Sequence, residues 1–321
     1  MSTLPKLDHI PNLEEIRATH TAIQDFIHRT PVLTSTAINA IAEAEIFFKC
    51  ENFQKIGAFK MRGGASAALR LTEAEKAKGV ATHSSGNHAQ AVARSAQVLG
   101  IPAYIVMPSN APKIKQKATA GYGAEIILCE PTLASREATL EQVVAEKGAT
   151  FIHPYNDYNV VAGQATAALE LLEDTEALDI IMAPVGGGGL MSGTALTTTY
   201  LSPNTRIIGA EPAEVDDAHR SFHSGVLQKN ETTNTVADGL RTSLGEKTLE
   251  IIRNYVEDIY LVEEEEIIAA MRLTWERMKI IIEPSCAVPL AAVLKYKEVF
   301  KGQKIGIIIT GGNVDVGSLP F

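Results

Sequence analysis

The chain has 321 residues, 45% hydrophobic and 21% charged, with 29 Lys and Arg against 38 Asp and Glu for a net charge of −9. This excludes disordered and fibrous classes, and without a basic cluster to offset the charge it argues against nucleic acid. No apolar run approaches the ~18 residues that span a bilayer, residues 1–6 lack a secretory apolar segment, and Cys50, Cys129 and Cys286 have neither disulfide nor zinc spacing.

A cytoplasmic protein with a small-molecule partner is therefore expected. Short β-branched runs at 45–48, 80–82, 104–106, 125–128 and 150–152 predict strands, and further runs lie at 179–182, 206–209, 258–261 and 304–309. Between most of them lie segments of helical spacing, such as 90–99 and 264–281. The acidic run 263–266 reads as a helix start, where negative charge meets the positive end of the dipole. Such alternation predicts an α/β protein with mainly parallel sheets. The length exceeds a single core, and no Gly, Pro or Ser-rich linker marks a boundary, so two lobes interleaved in sequence are expected.

Five segments carry chemistry. Lys60, in the run 53–63, follows a turn and opens a helical pattern, where the dipole favours the neutral amine that attacks an aldehyde. His83, Ser84, Ser85, Gly86 and Asn87 join a strand to a helix near His88 and can cup a carboxylate or simply cap that helix. Gly186, Gly187, Gly188 and Gly189 follow a buried-type strand and lead into a helix near Leu190. They fit a compact phosphate, and match neither the Walker loop nor the dinucleotide fingerprint. The acidic turn 211–217 can ligate a hard cation or merely be solvated. Thr310 opens the segment 310–315 at the end of the last strand, where open α/β sheets bind ligands.

In this order the segments resemble the fold type II pyridoxal-phosphate enzymes, the tryptophan synthase β-like fold, in the serine/threonine dehydratase and serine racemase branch. The resemblance runs from about Ile16 to Asp315. It implies two three-layer α/β/α lobes, a large one from 1–78 and 157–321 and a small mobile one from 79–156, in a homodimer. Lys60 would hold pyridoxal 5'-phosphate as a Schiff base and serve as the base at the substrate's α-carbon. Phe59, Asn87 and Glu283 would line the ring, Gly186 to Leu190 would cradle the phosphate, and Thr310 would face the ring nitrogen. Ser84 to Asn87, with His83, would take the substrate carboxylate, and Ser85 would act on the opposite face. Glu211, Val215 through its carbonyl, and Asp217 would bind Mg²⁺ or Mn²⁺. Gln90, Lys115, Tyr122 and Lys279 match an ATP effector site that the racemases form between subunits.

The implied reaction is dehydration and deamination of L-serine and L-threonine to a 2-oxo acid and ammonia, with serine racemisation as a companion activity. Alternatives are a threo-3-hydroxyaspartate ammonia-lyase, with Arg136 or Arg241 pairing the distal carboxylate, and a serine or aspartate racemase proper. Tyr155, where the racemases carry Asn, leans toward a dehydratase, and Tyr155, Arg136, Arg241 and Thr242 are the residues on which substrate choice turns. The segment 283–286 departs from the family pattern by placing the Cys286 thiol at the cofactor wall. The chain ends soon after 310–315, so isoleucine feedback is not expected.

Overall fold

In the computed structural model, residues 4–111 and 113–321 are described, apart from the side chains of residues 114 and 115. Ten strands form two sheets: β1 (Val32–Leu33), β2 (Glu45–Cys50), β3 (Val80–His83), β4 (Ala103–Pro108), β5 (Glu125–Cys129), β6 (Thr150–Phe151), β7 (Ile180–Pro184), β8 (Arg206–Pro212), β9 (Asp258–Val262) and β10 (Lys304–Ile309). The six-stranded sheet has the order β1-β2-β10-β7-β8-β9, and the four-stranded sheet the order β5-β4-β3-β6. Every pairing is parallel except β1 with β2.

The nine expected strands are present within three residues of their predicted bounds. β1 escapes sequence reading because two residues carry no period. The helix expected to begin near His88 starts at Asn87 and stops at Leu99, where Gly100 turns left-handed at φ 67°. The acidic run begins the helix Glu264–Met278. Glu266 caps the Glu263 amide at 2.7 Å, and Lys279 ends the helix at φ 60°, short of the predicted residue 281.

Alternation along the strands divides the large sheet's apolar residues between two cores. Ile180 and Met182 of β7 join Phe48, Ile307 and Ile309 in one cluster with Ala287, Val288 and Leu290 of the helix Pro284–Lys295. Ile181 and Ala183 join Ile308 in another with Ala167, Leu171 and Met191. In the smaller sheet Val80, Ile105 and Met107 pack on Ala89, Val92 and Ala96 of the helix Asn87–Leu99.

A buried ionic cluster fixes the helix Lys60–Ala68. The Arg62 guanidinium donates to Glu51 Oε1 and Oε2, both at 2.7 Å, and to Glu170 Oε1 at 2.8 Å and Oε2 at 2.7 Å. Lys49 Nζ completes it, 2.7 Å from Glu170 Oε2. The four side chains are fully buried, and two cations facing two anions hold the net charge at zero. Against the opposing effect of burial, the hydrogen bond with His20 Nε2 at 3.0 Å, and then Arg62 and Lys49, hold the Glu170 carboxyl far below its ordinary range.

Candidate active site

The loops after β2, β3, β7 and β10 all leave the carboxyl ends of their strands. Backbone bonds tie the first of these to the last. Phe59 N donates to Thr310 O at 2.9 Å, Gly312 N donates to Gly57 O at 2.9 Å, and Ala58 bridges Gly311. Lys60 is therefore the first residue of its helix and stands against the end of β10. The preceding turn is strained: Ile56 has φ 62° and Gly57 φ 72°. Asn313 spans it, donating from Nδ2 to Ile56 O at 2.8 Å and to Asn87 Oδ1 at 2.9 Å.

The Lys60 residue keeps some accessible surface, but its amine lies deep. Nζ donates to Pro154 O at 2.9 Å and stands 5.1 Å from the Phe59 ring centre. Burial lowers its pKa to about 8, opposed by the charge of Glu283. Glu283 also accepts from Asn87 Nδ2, at 3.1 Å on each oxygen. Thr310 Oγ1 lies 3.1 Å from Cys286 Sγ, and the thiol donates to Gly311 O at 2.8 Å. Burial pushes that thiol far up, so it stays protonated and unreactive.

The glycine loop has no room for side chains. A Cβ on Gly187 would lie 2.2 Å from the Tyr155 ring, one on Gly186 would reach Leu240 Cα at 3.0 Å, and Gly188 is left-handed at φ 83°. The loop leads into the first amides of the helix Gly189–Leu201, whose free N–H groups make an anion cradle. Tyr155 covers it, and burial raises its phenol to about 12. His153 Nδ1 accepts from the amides of Tyr155 and Asn156 at 3.3 and 2.9 Å, and burial lowers its pKa to about 4. A neutral imidazole thus shapes the segment that carries both Pro154 and Tyr155.

In the Ser/Asn loop His83 to Asn87 are half-buried, and Ser84 Oγ accepts from Gly86 N at 3.3 Å. Burial and then the charge of Arg136 lower the His83 pKa, which puts Arg136 within electrostatic reach of this loop. Arg241 spends its guanidinium on Thr235 O at 2.7 Å, and Thr242 is exposed.

At the acidic turn the structure separates the four carboxylates. Asp216 pairs with Arg220 at 2.8 Å and Glu214 is exposed. Glu211, Val215 and Asp217 are fully buried. Glu211 accepts from the amides of Ala218 at 3.1 Å and His219 at 2.9 Å, yet burial and the charge of Asp217 raise its pKa well above normal. Asp217 Oδ2 accepts from Leu244 N at 2.9 Å while Oδ1 meets no hydrogen-bond geometry among the described residues, and burial, opposed by Leu244 and Asn230, raises its pKa to about 6. Two under-compensated buried carboxylates and an orphaned oxygen fit a hard divalent cation.

The four effector candidates are not drawn together by any contact among the described residues. Gln90 is buried on the helix Asn87–Leu99, Tyr122 stacks under Arg94 at 5.9 Å, and Lys279 Nζ donates to Glu276 O at 2.5 Å at the end of its own helix. The Lys115 side chain lies outside the described residues.

The protein-family comparison matches residues 23–311 to the model described as pyridoxal-phosphate dependent enzyme. The chain belongs to that family. Its relatives include the β-hydroxyaspartate dehydratase of Paracoccus denitrificans, 49% identical over 98% of this chain and 99% of the relative. The serine racemase of Dictyostelium discoideum is 49% identical over 96% of each chain, and its crystal structure superposes with a TM-score of 0.91 at 48% identity, covering 95% and 99% of the two chains. The T.th. threonine deaminase aligns with a TM-score of 0.91 at 42% identity, covering 95% and 99%. The chain is thus a fold type II pyridoxal-phosphate enzyme of the lyase and racemase branch.

This pyridoxal-phosphate enzyme has an enclosed low-pKa amine and a cradle that admits no Cβ, so its residues fit the cofactor. Sequence reasoning missed Pro154, His153, Asn313 and the Arg62 cluster. Only Asn313 had a signal, as the polar residue closing the 310–313 turn.

Proposed function

We propose that this chain is an ammonia-lyase that dehydrates and deaminates L-serine and L-threonine, with racemisation of serine as an accompanying activity. The observation that carries this reading is the enclosed Lys60 amine, lowered to about 8, beside the end of β10 and the Pro154 carbonyl. Pyridoxal phosphate, when bound, supplies the electron sink that makes the α-proton of an amino acid removable.

The chain's residues supply the rest. Gly186 to Leu190 bind the phosphate with backbone amides, and Phe59, Asn87, Glu283 and Thr310 set the ring's position. The Ser84 to Asn87 loop takes the substrate carboxylate. Lys60, once free, has a pKa lowered to about 8, so far more of it is neutral at physiological pH than for an ordinary lysine, and this neutral amine accepts the α-proton at Nζ. The Thr310 hydroxyl beside a protonated thiol puts no formal charge at the ring nitrogen, which favours loss of a β-leaving group. Ser85 supplies the proton site on the other face, the minimum for inversion.

A second reading, a threo-3-hydroxyaspartate ammonia-lyase, is favoured by Arg136, whose charge acts on His83 in the carboxylate loop. The Paracoccus relative supports it equally. We assign Mg²⁺ or Mn²⁺ to Glu211, Val215 and Asp217, closure of the small lobe 79–156 to water exclusion, and a homodimer to the assembly. ATP as effector rests on Gln90, Lys115, Tyr122 and Lys279 alone.

The test incubates cofactor-loaded, Mg²⁺-supplemented protein with L-serine, L-threonine and both threo-3-hydroxyaspartates, following oxo acid and residual enantiomers. Oxo acid from serine or threonine with little inversion supports the first reading. Preferential hydroxyaspartate turnover replaces it with the second, and D-serine outpacing pyruvate makes the chain a racemase.

A further inference from the structure

The helix Asp217–Ser224 carries a second set of ligating side chains that the active site does not use. His219 and His223 stand one turn apart on it, with ring centres 4.3 Å apart. Asp258, the first residue of β9, faces them, with Oδ1 3.4 Å from His223 Nε2. One ligand atom from each of the three lies within 4.8 Å of the other two.

Their preparation goes beyond proximity. His219 Nδ1 lies 2.8 Å from Ile259 O, a carbonyl that can only accept, so the neutral ring carries its proton on Nδ1 and offers the Nε2 lone pair. Histidine metal ligands are held in this way, by a carbonyl on the far nitrogen that fixes tautomer and ring angle. Asp258 Oδ1 accepts from Ile259 N at 2.8 Å, which orients the carboxylate from the same residue. His223 is the adjustable member, with half of its side-chain surface exposed. Bonds of ~2.1 Å need ligand atoms about 3.5 Å apart; His223 and Asp258 already meet this at 3.4 Å, and small side-chain rotations would bring in the rest.

We propose that His219, His223 and Asp258 bind a borderline divalent transition metal such as Zn²⁺, at a site separate from the hard-cation site of Glu211 and Asp217. Two imidazoles and one carboxylate suit Zn²⁺, Ni²⁺ or Cu²⁺, whereas Mg²⁺ favours all-oxygen ligation. Water completes the coordination, because the site opens to solvent. The two sites share a helix: the His219 amide donates to Glu211 Oε2 at 2.9 Å while its ring faces the new site.

The test uses untagged holoenzyme, stripped of transition metals and saturated with Mg²⁺, titrated with Zn²⁺ by calorimetry. One Zn²⁺ per chain is expected, with affinity lowered roughly tenfold or more in His223→Ala and in Asp258→Asn. Co²⁺ serves as a second probe, and its visible absorption should appear in the parent protein and vanish in His223→Ala. Circular dichroism of both variants confirms that they are folded. No Zn²⁺ uptake over the Mg²⁺ background, or uptake unchanged in the two folded variants, overturns the site.

Discussion

The amide of Phe59 donates to the carbonyl of Thr310 at 2.9 Å, joining residues 251 positions apart so that Lys60 begins its helix against the end of β10. The placement buries the lysine amine, and burial disfavours its charged form. Cofactor-free protein should therefore bind pyridoxal phosphate at a rate that climbs with pH around about 8, well below the ordinary lysine value of 10.5. Folding stability follows the same sign. Between these two values the unfolded chain holds a proton that the folded one lacks, so the cofactor-free protein gains stability as pH rises through that window. Stopped-flow loading across pH checks it, and a midpoint near 10.5 would contradict it.

The Arg62 cluster predicts a large stability effect at a residue that need not touch substrate. Replacing Arg62 by Met leaves Glu51 and Glu170 buried without their principal cation, and breaking such a pair costs about 3–5 kcal/mol. Urea unfolding should show it directly. Glu170, whose pKa is depressed, stabilises the fold above its unfolded value of 4.5, and this contribution is lost as pH falls toward its folded value. Glu170→Gln should therefore be least stable relative to the parent near neutrality, with the deficit shrinking in acid.

Gly187→Ala should impair cofactor binding through Tyr155, because the new methyl would lie 2.2 Å from that ring. Adding Tyr155→Ala should recover part of the loss by opening the same space. Titration of each cofactor-free variant with pyridoxal phosphate measures the coupling, and independent, additive losses would count against this contact.

Much of this arrangement is legible in the sequence, because strand ends and glycine turns are local signals. Lys60, Gly186 to Gly189 and Thr310 each sit within a few residues of the feature that announces them. What is not legible is long-range pairing of polar groups. Lys49, Glu51, Arg62 and Glu170 look like ordinary surface charges along the chain, and only folding brings Arg62 to Glu170, 108 positions away. Pro154 enters through its carbonyl, which its residue type does not reveal. His219 and His223 have helical spacing, but their third partner comes from β9 and is invisible before the sheet is built.

Arg136 offers the sharpest separation of the two substrate readings. Its guanidinium makes a long 3.4 Å contact with Thr132 O, while its charge acts on His83, whereas Arg241 is held by Thr235 O. A distal substrate carboxylate should therefore meet Arg136 rather than Arg241. If hydroxyaspartate is the substrate, Arg136→Ala should cost roughly tenfold or more in kcat/KM, the scale of a charge-assisted hydrogen bond of ~1.5–3 kcal/mol. Serine, which has no second carboxylate, should lose far less. Arg241→Ala should affect both substrates alike, through the loop that Thr235 anchors. Steady-state kinetics of the two variants on both substrates decides it, and equal losses in Arg136→Ala would leave the second reading without its structural support.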